Sequence, residues 1–299
     1  MIDALWSVLP FLMMSVAIAA YAKAAGADNL IARAFQNRAA VAVVLAALTG
    51  ALSPFCSCGV IPIIAALLAM GVPLGPVMAF WLSSPLMDPS MFFITAATLG
   101  AGFALAKTAA AIGIGLLGGF GVLMLGKAGL LNGSPLREDV GNGGCAGSKV
   151  RNPKHVVWRF WSEPARREAF AVGARDNTLF LGKWLALAFA LESLMLAYIP
   201  ADLVARAAGG EGIWPVLGAT FAGVPAYLNG YAALPLISGL MSQGMAPGAG
   251  MAFLLAGGVT SLPAAIAVYA VARRPVFGAY IGFAFIGTLA AGLLYGWLA

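Results

Sequence analysis

The sequence predicts an all-α polytopic membrane protein of about 10 membrane segments, arranged as two inverted five-segment repeats with broken or re-entrant helices. Three observations predict it: a composition too apolar for a water-soluble globule, hydrophobic runs of membrane-spanning length, and a duplication that lays one half of the chain on the other.

Of the 299 residues, 62% are apolar and only 9% are charged. That leaves too little polar surface to cover a soluble globule, so the bilayer is the expected solvent. Leu5 to Tyr21, Thr108 to Leu125, Thr178 to Ile199 and Phe277 to Leu298 run about 17 to 22 mostly apolar residues, enough for a helix to cross a roughly 30 Å hydrocarbon core. None shows the polar/apolar alternation of an outer-membrane barrel, which leaves a helical bundle. Met1-Ile2-Asp3 offers no basic n-region, and no small-residue cleavage signal precedes Tyr21, so the first span reads as retained.

A formal charge of +6 would point to nucleic acid in a soluble protein, but here the basic residues are distributed by side. Lys23, Arg33 and Arg38 follow the first span, a cluster from Lys127 to Arg175 fills the central loop, and Arg273-Arg274 precedes the last span. The positive-inside rule makes these three regions cytoplasmic and both termini periplasmic, in a bacterial inner membrane. The loop from Ala201 to Gly212 has no basic excess and is expected outside. Lys183 lies close enough to the inner end of its helix to snorkel, whereas Lys107 is expected in a short outer turn. Cys56, Cys58 and Cys145 form no disulfide framework, and Cys145 lies in the Gly-rich central loop, where it is expected reduced.

A constant shift of 173 residues places Pro62 on Pro235, Gly71 on Gly244, Gly75 on Gly248 and Met78-Ala79-Phe80 on Met251-Ala252-Phe253. Nine of the 21 positions from Pro62 to Leu82 are identical under it, without a gap. The shift divides the chain into a first transmembrane repeat over 1–126, a basic linker over 127–177 and a second, inverted repeat over 178–299. After its first span, each copy has short, interrupted segments. They are Ala39 to Leu52, Gly59 to Met70 and Pro76 to Pro85 continued by Ser90 to Ala106, matched by Ile213 to Val224, Ala232 to Ser242 and Gly248 to Gly257 continued by Pro263 to Ala272. An odd number of crossings per copy inserts the copies oppositely and puts all three basic regions on one face; a re-entrant hairpin has the same parity. Such repeats, interrupted by Pro and Gly, build secondary transporters whose sites lie where helices break, because the freed backbone must be buried in protein or face a wet cavity.

The first break, Ser53-Pro54-Phe55-Cys56-Ser57-Cys58-Gly59, puts two thiols at the mouth of a short helix containing Pro62. Thiols are soft ligands suited to Cu(I), Zn(II) or trivalent arsenic, and a helix N-terminus raises the thiolate fraction. Two sulfurs, Cys56 and Cys58, leave a trivalent arsenic one valence for an organic substituent; the plainer alternative is two small residues packing a bend. The equivalent Tyr227-Leu228-Asn229-Gly230-Tyr231 has no thiol, but Asn229 and Tyr231 can hydrogen-bond a substrate hydroxyl or else cap and pack. Further breaks around Ser84 and Pro85, and around Ser261 and Pro263, add hydroxyls.

Asp88 and Glu192 are the acids placed within membrane segments, where carboxylates are costly and point to proton handling; helix capping by Asp88 and an interfacial place for Glu192 are the alternatives. Gly121 to Ala128 nearly matches a phosphate loop, but Ala128 replaces the hydroxyl that holds magnesium, and no strand precedes it. Gly115-x-x-x-Gly119, Gly278-x-x-x-Gly282 and Gly292-x-x-x-Gly296 read as close helix packing, and His155 as a solvated loop residue.

Pro54 to Pro62 with Gly71 to Pro76, together with Gly223 to Ala232, resemble the ArsP family of predicted permeases, the organoarsenical efflux proteins, over most of the chain outside the linker. The resemblance implies gradient-driven export of trivalent organoarsenicals such as methylarsenite, with the family's cysteine motif on Cys56 and Cys58 as arsenic ligands. Related permeases carry a second-repeat cysteine where this chain has Asn229-Gly230-Tyr231, which favours the arsenical branch. The partners implied are a small-molecule substrate, the lipid bilayer and protons as the coupling ion, with no nucleic acid and no cofactor; a homo-oligomer is compatible. The alternatives are a permease for another soft solute, such as Cu(I) or a sulfur compound, and a membrane dithiol redox protein. A one-residue cysteine spacing gives a strained disulfide, which weighs against the last.

Overall fold

The structure, a computed structural model, describes residues 39–53, 60–69, 71–131, 133–137, 212–226, 230–242 and 244–299, with scattered positions between 161 and 179. Ten helices lie among them. The first half contributes α1 (Ala39–Ala51), α2 (Val60–Ala69), α3 (Leu74–Ser83), α4 (Pro89–Leu99) and α5 (Ala101–Lys127). The second contributes α6 (Ile213–Ala226), α7 (Gly230–Ser242), α8 (Pro247–Thr260), α9 (Leu262–Val271) and α10 (Arg274–Leu298). Three stretches are long and apolar enough to cross a membrane: Ala101–Lys127, Pro247–Val271 through the joint between α8 and α9, and Arg274–Leu298. With the exposed apolar side chains of Leu105, Met124, Ile286, Leu294 and Trp297 on α5 and α10, this is a multi-pass membrane protein.

The duplication read from the sequence is carried by the helices. Leu74 and Pro247 open α3 and α8, Pro89 and Leu262 open α4 and α9, and Ala101 and Arg274 open α5 and α10; each pair stands 173 residues apart. Crossings repeat too. A methyl group on Gly50 would come 2.9 Å from the Phe80 carbonyl oxygen, and one on the equivalent Gly223 2.7 Å from that of Phe253. Likewise Gly75 faces the Gly119 carbonyl oxygen at 3.2 Å, and Gly292, equivalent to Gly119, faces that of Gly248 at 2.9 Å. Glycines let these backbones approach as no other residue could. Gly115 and Gly296 pack as expected, against Ala79 and Gly248, but Gly278 and Gly282 differ: a methyl on either meets no described atom within 4 Å.

The core is built on α3 and α8, buried along nearly their whole length, with α1 and α5 flanking α3 and α6 and α10 flanking α8. The halves meet through α5 against α10, α7 against α4 and α9 against α2. Equivalent residues touch at this seam: Gly258 lies against the Pro85 carbonyl and Leu86, and Gly287 against Ile114.

Lys107 corrects the sequence reading. It occupies no outer turn: the joint is Gly100, at φ 94°, and α5 continues unbroken through Lys107, which is 2% exposed. A left-handed glycine ends one helix and opens the next, so the expected segments ending at Ala106 and starting at Thr108 are α4 and a longer α5.

At one end of the bundle the linker docks on the second half. Leu136 forms an antiparallel bridge with Ala272, Arg273 N–H donates to the Pro135 carbonyl at 3.1 Å, and the Arg137 guanidinium stacks 4.5 Å from the centre of the Tyr269 ring. Two of the three basic regions are thus adjacent.

Candidate functional site

The helices stop where local chemistry stops them. Ser83 donates its hydroxyl back to the Ala79 carbonyl at 2.9 Å, and Pro85 and Pro89 bar continuation, so α3 gives way to a turn before α4. Asp88 caps α4: its carboxylate accepts from the Met91 N–H at 2.8 Å, the alternative weighed for it above. In the second half α8 ends at Thr260, Ser261 stands at the N-cap of α9 without making a side-chain cap bond, and Pro263 falls in the first turn. The Ser84 and Ser261 hydroxyls, 2% and 0% exposed, have no hydrogen-bond partner among the described residues. Unpartnered buried hydroxyls are costly, and Thr95 within α4 and Thr288 within α10 share the condition.

The seam between the halves brings both joints together through Pro85 and Gly258. Around it stand three residues the sequence reading did not single out as a site. Lys107 is buried within electrostatic range of Asp88. Tyr280, from α10, stacks on Trp81 of α3 with ring centres 5.1 Å apart and donates its hydroxyl to the Val259 carbonyl, so it ties the first half to the end of α8. The 173-residue shift held a signal for them, because it aligns Lys107 with Tyr280.

Other predicted positions fall elsewhere. Cys56, Ser57 and Cys58, with Pro54 and Gly59, and likewise Asn229 and Glu192, lie outside the described residues. Pro62 stands in the first turn of α2, and Gly230 and Tyr231 open α7, three residues earlier in the repeat than the start of α2. The link 54–59 joins α1 to α2, and those two helices with α3 enclose an apolar cleft of about 360 Å³. Leu45, Ala46, Ile63, Leu67, Val77 and Phe80 line it, and its polar side chain, Thr49, already donates to the Leu45 carbonyl at 2.8 Å. Thr49 and Ile63 stand within about one helical turn of the ends of the helices that the cysteine segment joins in the chain. Among the described residues no group of three or more His, Cys, Asp and Glu side chains could hold a metal ion.

Comparison with known proteins shows the family. The ArsP_1 family, described as a predicted permease, matches residues 1–297. UPF0718 protein YcgR of Bacillus subtilis (strain 168) is 35% identical over 99 residues, 33% of this chain and 34% of that protein, so the matched region spans about a third of each. UPF0718 protein MJ0584 of Methanocaldococcus jannaschii is 22% identical over 299 aligned positions that cover 86% of this chain and 82% of the relative. No solved structure matches.

Proposed function

The chain belongs to the ArsP_1 family of predicted permeases, and on that ground we propose that it is a gradient-driven exporter of trivalent organoarsenicals such as methylarsenite across the bacterial inner membrane. The two halves, 1–126 and 178–299, insert oppositely and carry the substrate between their helix breaks, with the 127–177 linker in the cytoplasm. Cys56 and Cys58 hold the arsenic, Asn229, Tyr231 and Ser84 orient its remaining groups, and Asp88 or Glu192 carries the coupling proton.

The observation that carries this reading is the apolar cleft between α1, α2 and α3, of which α1 and α2 flank the cysteine segment in sequence. A bare metal ion or inorganic arsenite has no use for an apolar wall, whereas a methyl or aryl group on arsenic is desolvated there while the sulfurs take the metalloid. The test is transport. Everted vesicles containing the protein should accumulate methylarsenite when energised and release it when the proton gradient is collapsed; accumulation of Cu(I) in its place, or uptake indifferent to the gradient, would overturn the proposal.

A further inference from the structure

Two glycines steer the chain as it leaves α5. Gly129, at φ 79°, closes the helix: its N–H donates to the Gly126 carbonyl and the Leu130 N–H to the Leu125 carbonyl, both at 3.1 Å, a helix end that turns the chain sharply. Gly133, at φ 97°, turns it again, and a methyl group there would lie 2.7 Å from Arg273 Nη1, so glycine alone fits. Residues 133–137 then run across the joint between α9 and α10. The Arg137 N–H donates to the Val271 carbonyl and the Arg273 N–H to the Pro135 carbonyl, each at 3.1 Å, so these bonds flank the antiparallel pair Leu136 and Ala272. Arg273 adds a side-chain bond from Nη1 to the Ser134 carbonyl at 3.1 Å, and Leu136 is buried in the core.

This strap grips a joint that can act as a hinge. Ala272 and Arg273 are extended, at ψ 148° and 152°, and Ser261 at the other end of α9 is extended too, at ψ 145°. Helix α9, of 10 residues, is therefore a short rod with a non-helical joint at each end, the arrangement in which a few element-terminal residues absorb a rotation. The strap's backbone bonds fall on Val271 and Arg273, one on either side of Ala272, and hold the joint's dihedrals while they last. At its other end α9 starts beside the seam: Ser261 stands three residues from Gly258, which lies against the Pro85 carbonyl and Leu86. A turn of α9 therefore reaches the helix breaks. The first half makes its equivalent joint differently. Gly100 alone links α4 to α5, and no described residue forms a bridge across it. The fold thus closes such a joint without a strap, and a strap at one joint only marks that joint as the one whose motion is controlled.

We propose that residues 133–137 are a latch: bonded to the joint between α9 and α10 they lock α9, and transport requires their release, which frees α9 to turn and remodel the helix break that begins it. The proposal rests on the transport reading above, not on arsenic.

The test locks the latch chemically. Leu136 and Ala272 form a non-hydrogen-bonded antiparallel pair, and such pairs hold their Cα atoms about 4.5 Å apart, within reach of a disulfide. A Leu136→Cys/Ala272→Cys variant of the full chain, carrying Cys145→Ser, is oxidised in nanodiscs and in everted vesicles, and the linked peptide is identified by mass spectrometry. Each single variant, oxidised alike, controls for Cys56 and Cys58. Hydrogen exchange of the α9 amides 264–268, which lie outside the strap, is read first because it needs no substrate. Locking should slow them about tenfold, and dithiothreitol should restore them. Gly133→Val, at an exposed position the fold tolerates, breaks the strap and should speed the same amides about tenfold. Methylarsenite uptake is read second: it should fall at least about tenfold in the oxidised double variant and return to within about twofold on reduction. A strap that only braces the fold would behave otherwise. Uptake by the oxidised protein at the reduced rate, α9 exchange that follows neither variant, or failure of the pair to cross-link would each overturn the proposal. Should the wild type carry no methylarsenite, the exchange readout still decides, and the arsenical reading falls alone.

Discussion

Gly292→Leu should eliminate the folded protein, and Gly119→Leu should do the same from the other half. At Gly292 even a methyl group would sit 2.7 Å from the Ala252 methyl, 2.8 Å from Val216 and 2.9 Å from the Gly248 carbonyl oxygen. At Gly119 it would meet Val43 at 2.6 Å, Ala79 at 2.8 Å and the Gly75 carbonyl oxygen at 3.1 Å. Overfilling a core costs about 1–3 kcal/mol when side chains can move aside. Here the obstacle includes main chain of the neighbouring helix, so α5 or α10 must separate from α3 or α8 and open the central packing of that half. Against a total stability of roughly 5–15 kcal/mol, such a loss is decisive. Monodisperse protein recovered after detergent extraction should drop below about a tenth of wild type. Gly278→Leu is the matched control: it lies on the same helix α10, is exposed and has open space around it, and it should extract like wild type. If Gly278→Leu fell as far as Gly292→Leu, the crossing would not be what holds the halves.

Much of this packing was legible in the sequence because duplication made it redundant. Pro62 to Leu82 carries the pattern once and Pro235 to Leu255 carries it again, and the same shift relates the observed starts of α3, α4 and α5 to those of α8, α9 and α10, although the sequence reading began α5 at Thr108, seven residues late. The helix breaks were legible for a local reason: Pro89 and Pro263 sit in the first turn of α4 and α9, where the missing N–H costs no hydrogen bond, and Pro85 falls in the turn that ends α3. Lys107 was misplaced because a lone lysine between apolar runs looks like a turn. The repeat pointed the other way, since Phe277, read as the start of the last span, is equivalent to Ala104, three residues before the lysine. What no local pattern could carry is the meeting of Pro85 with Gly258, or the stacking of Trp81 on Tyr280. Those contacts depend on how two surfaces dock, a tertiary outcome that hydropathy does not encode. The same holds for the cleft, which is lined jointly by α1, α2 and α3.

The cysteines and the cleft make separable predictions for the proposed export. A Cys56→Ser/Cys58→Ser double variant should lose export of every trivalent arsenical, methyl and phenyl alike, down to the level of vesicles without the protein. Serine is similar in size but its hydroxyl is a hard ligand that does not ionise at neutral pH, so it supplies neither the softness nor the negative charge that arsenic seeks in sulfur. Thr49→Phe should act differently. Thr49 is exposed and lines the cleft, so the larger ring is tolerated by the fold yet occupies the space an aryl substituent would need. Phenylarsenite export should fall about tenfold while methylarsenite export stays within about twofold, the scale of discrimination a hydrophobic pocket achieves by steric exclusion. Radiolabel or mass-spectrometric uptake into everted vesicles separates the cases. Normal transport by the double cysteine variant would remove the thiols from the mechanism. An equal loss of both substrates in Thr49→Phe would make the cleft a structural feature, not the seat of the organic group.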